Sequence, residues 1–237
     1  MEETKKNIVI VGYPKSGTTW MSKLVAELLV CPLKGNWGFK IDNDPIEEGQ
    51  DRISAYDCYK SHHTYEEIFS VDKKSIDKII YIIRDPRDVV ISGLYFFKFL
   101  KKSSIIDKLS PKAFKKKQMI KAVLSGNEKV NQWCKFSWKN HYNGYLNKDI
   151  LFVKYEDLLQ NPKFECQQIL KFLNIEKTDK FILNAIDKQS FKNAKQTNNL
   201  RKGEAGYWKH QLSNSENQLF IEHLSNSLDY FGYEIIN

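Results

Sequence analysis

The sequence predicts an α/β fold of three layers, with a central parallel sheet flanked by helices on both faces. Three observations predict it. Short aliphatic runs at Ile8–Val11, Ile79–Ile83 and Ile150–Val153 are apolar without alternation, as strands covered on both sides are. Each run passes through a polar, turn-forming stretch into an amphipathic segment of helical period. This alternation recurs over 237 residues that are 41% hydrophobic, enough to bury a sizeable core, and no repeat, low-complexity tract or linker interrupts it. One domain over residues 1–237 is therefore expected.

The elements follow in order. After Ile8–Val11, a helix starts near Gly17 and carries the stripe Trp20, Met21, Leu24, Val25, Leu28 and Leu29 until Pro32 and Gly35 end it. Pro32 to Tyr56 is turn-rich and reads as a long irregular connection of the kind that often binds substrate. YDCYKSHH reads as a short strand ending at a polar edge. Ile79–Ile83 runs into RDPRD and then the helical VVISGLYFFKFL. Two helices, SPKAFKKKQMIKAVLSG and NEKVNQWCKFSWKNHY, are expected on either side of Gly126, with the lysines on a solvated face. Ile150–Val153 leads to YEDLLQ. Asn161-Pro162 then supplies an N-cap and a first-turn proline for a helix whose apolar face is Phe164, Ile169, Leu170, Phe172 and Leu173. A final helix is expected from Ser215, with Gln218 completing a capping box.

Charge narrows the ligand class. Lys plus Arg number 37 against 29 Asp plus Glu, a net +8, which favours anionic ligands without choosing between small phosphates, nucleic acid and a membrane surface. Cys31, Cys58, Cys134 and Cys166 are widely spaced and form no metal-like cluster with histidine, so buried, reduced thiols are expected and no metal is. The first residues lack a secretory h-region, and no window approaches the roughly 20 apolar residues of a membrane span, so a cytoplasmic protein is expected.

The stretch IVIVGYPKSGTTW, Ile8 to Trp20, begins as a P-loop does, strand, glycine-rich turn, helix, but departs from it in one respect. Gly12, Gly17 and Thr19 keep the register of G-x-x-x-x-G-K-[ST], yet Thr18 stands where the lysine belongs and the lysine is at Lys15. A P-loop-like fold with a phosphate cradle is expected, formed by the backbone N–H groups of Ser16 to Thr19 at a helix N-terminus. Because ligands of parallel sheets sit at the carboxyl ends of the strands, PKSGTT, KSHH, RDPRD and KYED should share one rim. Read from residues alone, three classes stay open: a group-transfer enzyme without a terminal-phosphate lysine, a P-loop nucleoside kinase or NTPase, and a non-catalytic basic protein binding a polyanion through tracts such as FKKKQ.

Taken together, YPKSGTTW (Tyr13–Trp20), KSH (Lys60–His62), RDPRDVVIS (Arg84–Ser92), YEDL from Tyr155 and RKGEAGYWK (Arg201–Lys209) resemble, in the same order, the motifs of the cytosolic-type sulfotransferases. These enzymes use 3′-phosphoadenosine 5′-phosphosulfate (PAPS) as co-substrate and release adenosine 3′,5′-bisphosphate (PAP), without a metal. The resemblance implies that His62 takes the proton of a hydroxyl or amine acceptor, with Lys60 beside it. Lys15 would stabilise charge on the leaving phosphate oxygen. Lys15, Ser16, Gly17, Thr18 and Thr19 would hold the 5′-phosphate. Arg84, Ser92, Arg201, Lys202 and Gly203 would hold the 3′-phosphate, and Trp20, Tyr155 and Phe191 would contact adenine. A small-molecule acceptor follows, with neither nucleic acid nor membrane as partner. Two departures stand out: Tyr207 replaces the family's usual aspartate, and Lys209–Gln218 lacks the Thr-Val pair of the family's dimerisation motif, which leaves the oligomeric state open.

Overall fold

The computed structural model describes residues 5–39, 46–97, 111–190 and 204–236. Five strands, β1 Lys6–Val11, β2 Leu33–Asn36, β3 Tyr56–Ser61, β4 Lys78–Ile83 and β5 Ile150–Lys154, form one sheet in the order β2-β3-β1-β4-β5. Every ladder is parallel. Val11 pairs with Ser61, and Ile83 with Lys154, so the carboxyl ends of the four longer strands finish on one rim.

Nine α-helices are described: α1 Thr18–Leu28, α2 Tyr65–Ile68, α3 Pro86–Phe96, α4 Lys112–Ser125, α5 Trp138–Asn143, α6 Tyr155–Gln160, α7 Pro162–Phe172, α8 Asp179–Lys188 and α9 Asn214–Tyr230. Gln132–Cys134 and Tyr207–His210 are 3₁₀ turns. The period of two in a strand explains the layers. Ile8, Ile10, Ile80 and Ile82 point to one face and bury α1, α7 and α8, while Val9, Val11, Ile79, Tyr81 and Ile83 point to the other and bury α3, α4, α5 and α9. The three-layer parallel architecture expected from the strand runs is the one observed, and all four cysteines are free and buried. Among the described residues no helix is long and apolar enough to cross a membrane.

Several local expectations are corrected. The connection after Pro32 contains β2, an edge strand whose register against β3 shifts between Leu33 and Asn36. Its LKGN sequence carries no strand pattern, and the exposed edge of β3 supplies the partner. NEKVNQWCKFSWKNHY is not one helix. Gly126 takes φ 84°, where a Cβ would stand 2.3 Å from the Lys135 carbonyl, and the chain restarts twice, at Asn131 capping Trp133 N–H and Ser137 capping Asn140 N–H. The capping box of α9 is Ser213 with Glu216, two residues before the expected Ser215 and Gln218, because a carboxylate accepts the cap N–H as well as an amide does. Asn161 occupies the N-cap of α7 without a side-chain bond, at φ −130° and ψ 56°, because it also closes α6. On α7, Cys166, Ile169, Leu170 and Leu173 are buried, whereas Phe164 is 57% exposed, one turn too early to reach the sheet.

Candidate active site

The rim at the ends of β1, β3 and β4 encloses a cavity of about 370 Å³. Its floor begins where β1 stops. Gly12 passes so close to β4 that a Cβ there would lie 2.6 Å from the Ile82 carbonyl. Tyr13 turns inward, fully buried, and donates to the Ala122 carbonyl at 3.1 Å. The Ser16 N–H donates to the Tyr13 carbonyl at 3.1 Å and closes the turn. Lys15 and Gly17 both adopt positive φ, 72° and 97°. Glycine tolerates that conformation freely, whereas for lysine it costs on the order of 1 kcal/mol. The Arg84 guanidinium holds Lys15 there through its carbonyl, at 3.3 Å.

The consequence is electrostatic. α1 opens on this turn with no side-chain cap and no acidic residue in its first turn, so its amides and positive dipole end face the cavity. Lys15 Nζ lies 3.5 Å from the centroid of the Phe96 ring. Burial, then the charges of Lys60 and Arg84, push the Lys15 ammonium down to about 7. The Ser16 hydroxyl and the Arg84 Nε–H are buried without a hydrogen-bond partner in the described structure. Converging cations and orphaned donors are what an anion satisfies.

His62 follows the last residue of β3 and lines the cavity. Its Nδ1 is 2.7 Å from the Gly12 carbonyl, which can only accept, so the ring proton sits on Nδ1 and Nε2 keeps a lone pair. Burial, then the Lys60 charge, hold its pKa well below the usual histidine range, so the ring is neutral at neutral pH. His63 does not line this cavity. Its Nδ1 lies 3.0 Å from Ser61 Oγ, and its ring meets Trp133 edge-on at 4.8 Å, in a separate pocket with Glu67 and Lys135.

Arg84 leaves β4, donates to the Glu204 carbonyl at 3.0 Å and stacks its guanidinium 4.2 Å from the Tyr155 ring centroid. Tyr155 meets Trp20 edge to face at 5.7 Å, and Trp20 Nε1–H donates to the Gln189 carbonyl. Lys15, Gly17, Thr18, Thr19, Trp20, Lys60, His62, Arg84, Ser92 and Tyr155 all line the one cavity, with Ser16 buried in the turn. Phe191, Arg201, Lys202 and Gly203 lie outside the described residues.

The segment around Gly206 and Trp208 is tied to the start of α3 by the second half of RDPRD. Asp88 accepts from the N–H groups of Gly206 at 2.6 Å and Trp208 at 2.9 Å. Arg87, fully buried, pairs with Asp85 at 2.8 Å and lies 3.6 Å under the Trp208 ring. Tyr207 also faces the cavity.

Sequence reading assigned no site role to Phe39, Ile91, Phe96, Phe97, Asn131, Gln132 or Trp133, which also line the cavity. Phe39 and Trp133 stack at 5.8 Å and 17°. The turn-rich connection that carries Phe39 and the aromatic run ending α3 signalled such a wall, whereas Trp133 lies in a stretch that reads as continuous helix.

Comparison with known proteins gives one consistent result. A family model described as the sulfotransferase domain matches residues 5–232. Sulfotransferase 1E1 of Bos taurus is 27% identical over 262 residues, covering 94% of this chain and 83% of the relative. Sulfotransferase 2A1 of Macaca fascicularis is 28% identical over 252 residues, covering 91% and 81%. Among solved structures, mouse sulfotransferase SULT7A1 complexed with PAP superposes with a TM-score of 0.69 at 20% identity, over 94% of this chain and 85% of that one.

Proposed function

The chain belongs to the sulfotransferase domain family, and from that premise we propose that it moves a sulfuryl group from PAPS to the hydroxyl of a small-molecule acceptor and releases PAP. One observation carries the reading. Lys15, Lys60, Arg84 and the uncapped start of α1 converge on a cavity that also receives a neutral histidine with a free Nε2. The orphaned Ser16 hydroxyl and Arg84 Nε–H fit an anionic co-substrate. We read the chain as one sulfotransferase domain, since both apolar layers share one sheet.

In this reading the Ser16–Thr19 amides and hydroxyls hold the 5′-phosphate at the N-terminus of α1. Arg84 and Ser92, with Arg201, Lys202 and Gly203, hold the 3′-phosphate. Trp20 and Tyr155, with Phe191, flank the adenine. His62 Nε2 takes the acceptor proton as the oxygen–sulfur bond forms, and the sulfur–oxygen bond to the phosphate breaks. Lys15 neutralises the charge left on that phosphate oxygen, and Lys60 draws negative charge to the reacting end. A hydroxyl is favoured over an amine, because an amine enters protonated and meets Lys15 and Lys60. Thr18 explains the displaced cation: with one phosphate and a sulfuryl group in place of a triphosphate tail, a lysine at the bridging oxygen serves where a Walker lysine does not. The four buried free thiols support a reducing, cytoplasmic setting.

The test needs no acceptor. PAP in EDTA should stabilise the protein, and ATP with Mg²⁺ much less. Saturation at about 100 times the dissociation constant adds roughly 2.7 kcal/mol, or about 5–10 °C of melting temperature for a domain of this size. Preference for ATP with Mg²⁺ would restore the kinase reading, and a response to RNA or heparin with steep salt dependence, without PAP specificity, would restore the polyanion reading.

A further inference from the structure

His62 lies beyond the end of β3, so the sheet ladder does not fix it, and something else must hold its backbone. Its carbonyl accepts from His141 Nε2 at 3.0 Å, and the next carbonyl, that of His63, accepts from the Tyr145 hydroxyl at 2.7 Å. His141 is on α5, 79 residues away in sequence and 1% exposed. Its ring stacks on Tyr145 at 6.0 Å and 27°, and Tyr13 meets it edge-on at 5.7 Å. Its Nε2 faces a carbonyl and therefore carries the proton, so Nδ1 accepts from the Tyr81 hydroxyl at 2.8 Å. Both ring nitrogens are thereby used inside the protein, and neither reaches the cavity. Burial pushes the His141 imidazolium down to about 4, which keeps this one-proton tautomer at neutral pH.

We propose that His141 is a positioning residue for the transfer reaction: through its Nε2–H on the His62 carbonyl, with Tyr81 setting its tautomer, it fixes the peptide that aims His62 at the acceptor. A ring used only for packing needs no nitrogens, whereas this one has a partner on each. The effect belongs to the chemical step, because a displacement of about 1 Å in a reacting group costs on the order of 10²-fold in rate. The inference rests on the reading of His62 as general base.

The experiment compares His141→Phe, His141→Gln and Tyr81→Phe with His62→Ala, measuring kcat and acceptor KM with PAPS and the simple phenol or alcohol that the wild type turns over fastest in a panel, and the PAP-induced melting shift. Gln places an amide N–H near the position of Nε2, and Phe retains the ring without it. His141→Phe should lower kcat about 10- to 100-fold, with acceptor KM and the PAP shift within about twofold and 2 °C of wild type. His141→Gln should recover most of the loss, and Tyr81→Phe should lose less than His141→Phe. Wild-type kcat in His141→Phe, or a His141→Gln no better than it, overturns the proposal provided His62→Ala is inactive. An active His62→Ala instead overturns the reading of His62 itself. If His141→Phe does not fold, as absence of a melting transition reports, Tyr81→Phe decides, and unchanged kcat there overturns the proposal.

Discussion

The half of the cavity around Lys15 to Trp20 and Arg84 is built from backbone turned at the ends of β1 and β4, whereas the half around Phe39, Trp133, Phe96 and Phe97 is built from aromatic side chains on the connection after β2, the 3₁₀ turn Gln132–Cys134 and the end of α3. On the first half a Cβ has no room at Gly12, and at Gly17 it would meet the Tyr155 ring at 2.6 Å. On the second, the exposed Phe96 and the stacked Phe39–Trp133 pair present surfaces that a substitution reshapes without moving a strand. The difference teaches which half is fixed by the fold. A strand-to-helix turn packed against neighbouring backbone has little freedom, while a wall of ring side chains has more.

The largest expected effects break the comparison at its junction. His62→Ala should lower turnover about 10²- to 10⁴-fold, the usual worth of a positioned general base, while leaving the PAP melting shift nearly intact. His63→Ala, on the far side of Trp133, should be mild, and a reversal of the two phenotypes would move the base to His63. In the proposed reaction Lys15 meets charge that develops during transfer, so Lys15→Met should also lose turnover far more than PAP affinity. Equal losses in both would make Lys15 a binding residue only.

Arg84→Gln probes the backbone-built half. If Arg84 binds the 3′-phosphate as proposed, its removal should weaken PAP by about 1.5–3 kcal/mol, and adenosine 5′-phosphosulfate, which lacks that phosphate, should change little. Equal weakening of both nucleotides in calorimetry would mean that Arg84 only shapes the turn through the Lys15 carbonyl.

Lys15 also makes that half pH-sensitive. Its folded pKa, about 7, is below the ordinary 10.5, so the unfolded chain binds the extra proton between those values. The burial penalty is complete below pH 7 and is relieved as pH rises toward 10.5, so the free protein should gain stability across that window. At about 1.4 kcal/mol per unit, discounted for partial exposure to cavity water, the contribution is on the order of 2 kcal/mol. Denaturant titrations from pH 7 to 9.5 should show this slope in the wild type and a shallower one in Lys15→Met. Identical slopes in wild type and variant would remove the coupling.

The smallest effect sharpens the side-chain half. Trp133→Ala should shift acceptor KM about tenfold in a direction that depends on acceptor size, and leave the PAP shift unchanged to within about 1 °C. A loss of PAP binding would show that the two halves are not separable.

How much was legible differs between the halves for the same physical reason. Lys15, Thr18, His62, Arg84 and Tyr155 stand in the short stretches that follow β1, β3, β4 and β5, with Ser92 on the helix after β4, and strand runs and the glycine turn are local signals, so the sequence placed these motifs on one rim before any contact was known. The segment from Asn127 to Ser137 read as one helix, yet local caps at Asn131 and Ser137 break it, and where that places Trp133 is decided by how the pieces pack around the cavity. β2 was illegible because an edge strand borrows its hydrogen bonds from β3.

By itself the sequence determined the layer architecture, the turn that presents the start of α1 and the identity of the cations, since period, glycine position and charge are properties of neighbouring residues. Only the tertiary structure decided which histidine faces the cavity, which ring nitrogen of His62 is free, and that Asp88 reaches across to Gly206 while His141 reaches across to His62. Those bonds join residues 50 to 118 positions apart, and no local pattern encodes a partner that chain folding alone delivers.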